Sequence, residues 1–281
     1  PATLTNNKCG TTVFLKAGDT ARVTVWAQDK LGSVSADTVR IWRPDPRAPY
    51  LADIQKVQHG DSVVPLTDFI LPNVRFGRFE VTADLYAKVL KITAPPSPGL
   101  PVANVNVYDA MLFCNALSKS VGLDTFYTYT SRDAASGYLA GYAIRSDTLD
   151  PAAATKTIRR GFRLPTASEW DVAATAWSSV HPWGTSEDSA VIAEYVSWKS
   201  SWSSQTGARN PTGAGLFDLA GNAAEWVGTP WGFALDATPW IVRGGAFTDA
   251  QTSGFGTARI TVTGTTRNAK TGFRLVRVGK E

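Results

Sequence analysis

The chain is poor in sulfur and imidazole, with two cysteines, one methionine and two histidines in 281 residues. Cys9 and Cys114 stand far apart with no C-x-x-C, and His59 and His181 lie far from both thiols, so a zinc site has no local framework. The same scarcity argues against a Ser-His-Asp relay, and neither a G-x-S-x-G elbow nor a phosphate loop ending in Lys-Ser/Thr occurs. No apolar run approaches the ~20 residues that a membrane-spanning helix needs. A dominant charge is lacking too. The 28 basic and 24 acidic residues leave a net +4, with no Lys/Arg stripe to track phosphates, which argues against a nucleic-acid partner. Two fates remain open for the cysteines, a Cys9–Cys114 disulfide or, as the commoner one, a small hydrophobe in the 109–117 stretch.

Hydrophobic residues make up 43% and charged residues 19% of the chain, a composition that folds rather than staying disordered. The length allows one large irregular domain, or a domain with a small appendage. Ten Trp, eight Tyr and twelve Phe supply rigid side chains for a core or a contact surface, and core is the commoner use. Apolar and polar positions alternate in Thr11–Leu15, Ala21–Trp26 and Ser35–Trp42, which reads as strands. The Pro-rich run from Arg43 to Pro49 cannot continue a sheet interior. Residues 1–48 are therefore expected to form a β-rich N-terminal extension and residues 49–281 the main domain. The chain begins at Pro1 with neither Met nor an apolar leader, so the expectation is a processed or trimmed form of an exported protein.

In the main part, Phe69–Leu71 and Phe79–Val81 read as short strands, and Thr82 precedes a helical pattern carrying Leu85, Val89 and Leu90. Asn106 starts a helix over Val107–Ser118 with Tyr108, Met111, Leu112 and Asn115 on one face, and Thr125–Ala143 alternates like strands. Thr166-Ala167-Ser168-Glu169 is a capping box ahead of a helix over Trp170–Trp177. From Trp183 to Trp240 no period is sustained over most of the length, and loops that long need metal, aromatic packing or function to order them.

Glu169 and Asp171 do not make a catalytic pair, because i and i+2 point apart on a helix and Glu169 is used as a cap. Asp218 and Glu225 flank a Gly-containing turn, where the carbonyls of Gly221 and Ala223 could complete an oxygen cage of the kind Ca²⁺ prefers; a simple turn is the equal alternative. Ala246–Gly272 carries eight Thr and no Trp, Tyr, Leu or Pro. It lies between Trp240–Gly245 and Gly272–Val276, so a fixed frame presenting small polar side chains is one reading and a pair of solvent-facing strands the other.

The order Gly161-Phe162-Arg163-Leu164-Pro165-Thr166-x-x-Glu169-Trp170, then Gly215-Leu216-Phe217-Asp218-x-x-Gly221-Asn222-x-x-Glu225-Trp226, then Val242-Arg243-Gly244-Gly245 and Gly272-Phe273-Arg274-Leu275 resembles the formylglycine-generating enzyme (sulfatase-modifying factor) family. Phe79-Glu80-Val81-Thr82, Tyr108-Asp109-Ala110 and Phe113-Cys114-Asn115 extend the likeness over roughly residues 60–278. The resemblance implies an α+β, C-type-lectin-like fold of that family's type, with much irregular chain. It also implies the second of the family's two calcium sites at Asp218, Gly221, Ala223 and Glu225, while the Asn expected for the first is not recognisable near Ala193-Glu194-Tyr195.

Family oxidases carry paired cysteines a few residues beyond Arg-Gly-Gly, whereas Ala246–Gln251 holds none, and two separated histidines cannot supply the three-His iron site of another branch. A family fold without those groups resembles the variable proteins of diversity-generating retroelements. The resemblance implies a non-catalytic, cell-surface display protein that binds a protein or glycan, with 246–272 as its variable ligand-binding segment. Thr248, Asp249, Gln251, Thr252, Phe255, Thr257, Ile260, Thr261, Thr263, Thr266 and Asn268 are its expected exposed contacts, Phe255 being the aromatic anchor. Arg243, Gly244, Gly245, Phe273 and Leu275 are the expected buried frame. A degenerate family enzyme and an invariant structural or adhesive module are the rival readings.

Overall fold

The computed structural model describes residues 3–5, 8–10, 18, 20–28, 34–59, 64–68, 71, 73–93, 98–144, 148–150, 155–157, 160–175, 188–228, 239–250 and 258–279. It divides into two compact units, Pro1–Pro49 and Tyr50–Glu281. In the first unit β1 (Thr3–Thr5) pairs with β2 (Lys8–Gly10), and β3 (Thr20–Gln28) with β4 (Val34–Trp42), both antiparallel. The β3–β4 ladder runs from Thr20 opposite Trp42 to Gln28 opposite Val34, so the alternating sequence becomes one long hairpin. The strand expected over Thr11–Leu15 lies outside the described residues.

The second unit opens with α1 (Leu51–Gln58), β5 (Leu66–Asp68), β6 (Val74–Glu80), α2 (Ala83–Leu90) and α3 (Val107–Ser120). Short strands follow: β7 (Tyr127–Thr128), β8 (Ser131–Arg132), β9 (Leu139–Ala140), β10 (Ala143–Ile144), β11 (Thr148–Asp150), β12 (Thr155–Thr157) and β13 (Gly161–Arg163). Then come α4 (Ala167–Thr175), α5 (Ser189–Tyr195), β14 (Ala224–Val227), β15 (Trp240–Arg243), β16 (Arg259–Val262), β17 (Thr271–Gly272) and β18 (Arg274–Val278). Two four-stranded sheets organise this α+β unit, in the orders β13-β18-β6-β5 and β16-β15-β14-β17. The second is mixed, because β14 runs antiparallel to β15 but parallel to β17.

Four of the described helix starts follow capping chemistry, while α1 starts after Tyr50 without a side-chain cap. The Thr82 hydroxyl accepts from the Leu85 amide at 3.3 Å, and Asn106 and Asp109 form a reciprocal capping box at 2.9 and 3.0 Å. Thr166 and Glu169 do the same ahead of α4 at 3.1 and 2.8 Å. The expected one-sided burial of α3 is too modest. Ala110, Phe113 and Cys114 are buried along with Tyr108, Met111 and Asn115, while Leu112 is half-buried, because α3 packs against both α2 and β13. Cys114 is a free, buried cysteine, so it belongs to the core and forms no disulfide.

Several boundaries also differ from expectation. The strand expected at Phe69–Leu71 is instead Leu66–Asp68, with Leu71 in a bend and Phe69 and Ile70 outside the described residues. Helix α4 begins at Ala167, three residues ahead of the expected start, and is described as far as Thr175, while the expected end at Trp177 lies outside the described residues. The apparently aperiodic Trp183–Trp240 stretch holds α5 and β14. A seven-residue helix is too short to establish a period, and all four side chains of β14 are buried, which removes alternation.

Candidate functional site

Side chains from β6, α4, β14, β18 and the 206–223 segment of the second unit form a buried polar network. Arg274, fully buried on β18, donates from Nε to both Glu225 carboxylate oxygens at 2.8 Å, and its far nitrogens reach the Phe217 carbonyl at 2.7 Å and the Gly77 carbonyl at 3.2 Å. Trp170 Nε1 donates to Glu225 at 2.6 Å, tying α4 to β14. Glu80 accepts from the Asn222 side chain at 2.6 Å, the Ala223 amide at 2.9 Å and the Thr206 hydroxyl at 3.1 Å. Burial, with the neighbouring Asp218 and Glu225 charges, holds the Glu80 carboxyl well above its ordinary range.

Asp218 Oδ2 accepts from the Gly207 amide at 2.7 Å, whereas Oδ1 is buried with no hydrogen-bond partner. Burial pushes this carboxyl up to about 6. The donor set meets the demands of a calcium ion unevenly. The orphaned Asp218 Oδ1 suits a hard cation, while Glu225 is already neutralised by Arg274 and bonded by Trp170. Among the described residues no group of three or more His, Cys, Asp or Glu side chains is placed to hold a metal.

Arg243 extends this frame towards the surface. Its guanidinium lies 5.0 Å from the Trp170 ring centroid, donates to the Ala258 carbonyl at 2.8 Å and pairs with Asp171. Asp171 thus has a structural task that its helix spacing alone did not disclose. Gly244, at φ +89°, would be strained by a side chain, and a Cβ there would crowd the Leu219 carbonyl oxygen at 3.0 Å. Gly245, Phe273 and Leu275 are buried as well.

Beyond the frame the chain turns outward. On β16, Arg259, Ile260 and Thr261 are exposed in succession, so neither face of this edge strand is covered over those residues, and Ile260 is 51% exposed. Thr248, Thr263 and Asn268 are exposed, while Asp249 and Thr266 are half-buried. Two of these side chains hold turns. Asp249 accepts from the Ala246 amide at 2.9 Å, and Asn268 from the Lys270 amide at 2.9 Å. Gln251, Thr252, Phe255 and Thr257 lie outside the described residues.

One exposed aromatic was invisible to sequence periodicity. Trp202 is 79% exposed in a loop that hydrogen-bonds to the 247–249 turn, through Lys199 N–H to the Asp249 carbonyl at 3.2 Å and Ser200 N–H to the Phe247 carbonyl at 2.8 Å. No turn motif or alternation marked it. Trp170, Trp226 and Trp240 are by contrast buried, the commoner use of tryptophan.

The sulfatase-modifying factor enzyme 1-like domain matches residues 6–278. The chain belongs to that family. A chaperone protein, LppX of Paenibacillus barcinonensis, is 28% identical in an alignment 205 residues long that covers 61% of this chain and 65% of that protein. The matched part therefore spans just under two thirds of that relative. Treponema denticola variable protein 1 superposes with a TM-score of 0.58 at 23% identity, over 76% of this chain and 91% of the other. The crystal structure of CarF gives 0.53 at 22% identity over 74% and 87%, and PvdO from Pseudomonas aeruginosa 0.53 at 18% over 73% and 80%. These structures establish the C-type-lectin-like fold of the formylglycine-generating type. Among the described residues of this family member, no helix is long and apolar enough to cross a membrane.

Proposed function

We propose that this family member is a non-catalytic recognition protein, displayed at a bacterial cell surface, whose β16 edge and flanking turns bind a protein or glycan. The observation that carries this reading is the change across one hydrogen-bonded strand pair. Arg243 on β15 is buried and tied to Asp171 and Ala258, while its ladder partner Arg259 and the next two residues of β16 are open to solvent. Side chains there can change without disturbing the core. Trp202 adds an exposed aromatic on the loop beside the 247–249 turn, where Tyr- and Trp-type anchors give contact area at low entropic cost.

The absent chemistry supports the same reading. No cysteine follows Gly245, and burial raises the Cys114 thiol far above its ordinary range, the nearby Arg163 charge offsetting only part of this. The likeness to a protein named as a variable protein favours a diversified segment over 246–272, and the relative named as a chaperone also suits recognition of a partner. Calcium belongs to this reading as a stabilising ion, with Asp218 and the carbonyls of Gly221 and Ala223 as its expected ligands, and Glu225 joining them only in exchange for its bonds to Arg274 and Trp170.

The test is selection from a library randomised at Thr248, Ile260, Thr261 and Thr263. Folded binders to unrelated protein or glycan targets are the expected result. A library that unfolds, or that never yields binders, contradicts the reading. Family membership favours one alternative, an enzyme of the formylglycine type. Conversion of a sulfatase-type cysteine peptide to the aldehyde, in the presence of copper and oxygen, is the result that would establish it, and an unchanged peptide mass is expected.

A further inference from the structure

A cleft of about 580 Å³ lies among α2, residues 102–105, the start of α3, β8 and the turn that follows β16. That volume is in the range of small-molecule sites. One side is apolar, built from Tyr86, Leu90, Val102 and Leu112. Tyr86 is held in place by stacking on Phe113, with centroids 5.4 Å apart, and by an edge contact to Phe273 at 6.3 Å.

The other side carries an unequal set of charges. Arg132 and Arg267 both line the cleft and both pair with Asp109, Arg132 at 3.2 Å. Asp109 is buried and also accepts the Asn106 amide as part of the α3 capping box. Arg267 donates in addition to the Asn104 carbonyl at 3.3 Å. One carboxylate therefore faces two guanidiniums, each with five N–H donors, and the excess is a single positive charge. The two arginine side chains remain 48% and 37% exposed, so donors are left over for a ligand.

We propose that this cleft binds a small carboxylate with an apolar body. A monoanion matches the single excess charge and the planar guanidinium geometry, and the apolar wall accommodates its hydrocarbon part. A dianion such as phosphate would leave charge uncompensated and the apolar wall unfilled. The same chemistry is carried by a free aliphatic carboxylate and by a polypeptide C-terminus ending in an apolar residue. The inference does not depend on the display reading, because its readout is a small probe and not the surface ligand.

The experiment titrates the full chain with decanoate by calorimetry, with decanol as the uncharged control. An acetylated tripeptide ending in leucine, as free acid and as amide, distinguishes the two sources. Decanoate is expected to saturate one site and to bind about tenfold more tightly than decanol, a difference of about 1.4 kcal/mol. Arg132→Gln and Arg267→Gln should each weaken it about tenfold. Ala103→Trp, which places an indole in part of the cleft and keeps both arginines, should weaken binding. Equal affinity for decanoate and decanol, indifference to Ala103→Trp, or no saturable binding of either carboxylate would overturn the proposal. Should an arginine variant fail to fold, as a melting curve would reveal, the decanol comparison and Ala103→Trp still decide the question.

Discussion

Strands β15 and β16 are neighbours in one sheet and belong to different worlds. On β15, Trp240, Val242 and Arg243 are buried, and Arg243 is gripped by Asp171, Ala258 and the Trp170 ring. On β16, Arg259, Ile260 and Thr261 are exposed one after another. The two strands share one ladder; β15 is paired on its other side with β14 while β16 is not, but backbone pairing does not decide which side chains are buried. The difference is what lies behind the side chains. Strand β15 is backed by α4 and the core, whereas β16 is an edge. A sheet can thus hold a strand firmly by its backbone while leaving its side chains free of packing duty, which is the property a recognition face needs.

The comparison breaks most visibly if the frame is attacked. Replacing Arg274 by Met leaves Glu225 buried and unpaired, and breaking a buried pair in this way costs about 3–5 kcal/mol. Chemical denaturation should report a loss of that size or outright failure to fold. Phe273→Ala opens a cavity beside Phe113 and Tyr86, for an expected loss of about 3–5 kcal/mol by the same measurement.

An intermediate effect is expected at the rim of the frame. Burial alone would raise the Glu169 carboxyl, yet the hydrogen bonds and charge of Arg163 and the Thr166 amide hold it below its ordinary value of 4.5. A carboxyl depressed in the folded state stabilises the protein above its unfolded pKa, and the contribution disappears as pH falls through the folded value. The stability gap between the parent and Glu169→Gln should accordingly shrink as pH is lowered from about 5 to about 3. A gap independent of pH would show that Glu169 acts only as a neutral cap. If calcium is held at the Asp218 turn, a chelator should lower the melting temperature, by an amount that depends on free ion over Kd as RT ln(1 + [L]/Kd). An unchanged curve removes the ion from the account.

The smallest effect sharpens the other side of the comparison. Trp202→Ala should alter stability by no more than about 0.5 kcal/mol, as for most exposed substitutions. A larger loss in denaturation would mean that Trp202 braces its loop.

The legible part of the molecule was the part with local chemistry. The Asn106 and Thr166 capping boxes, the Thr82 cap and the β3–β4 alternation each act within a few residues, and motif order sufficed to place the family. What the sequence hid was long-range pairing. Arg274 with Glu225 is a contact 49 positions apart, Arg243 with Asp171 is 72 apart, and no spacing rule announces either. Trp202 was illegible because its exposure follows from the loop's path rather than from any period. In the candidate contact set, Asp249 and Asn268 looked like free polar side chains, yet each is occupied by the turn it caps.

The most direct test of a firm frame bearing an unburdened face is the thermal unfolding of one combined variant, Thr248→Ala, Ile260→Ser, Thr261→Ala and Thr263→Ala, beside Phe273→Ala. The account predicts that the fourfold variant melts cooperatively within about 4 °C of the parent, while the single frame substitution lowers the midpoint by much more. Loss of the cooperative transition in the fourfold variant would contradict it, because these exposed side chains would then be carrying the fold.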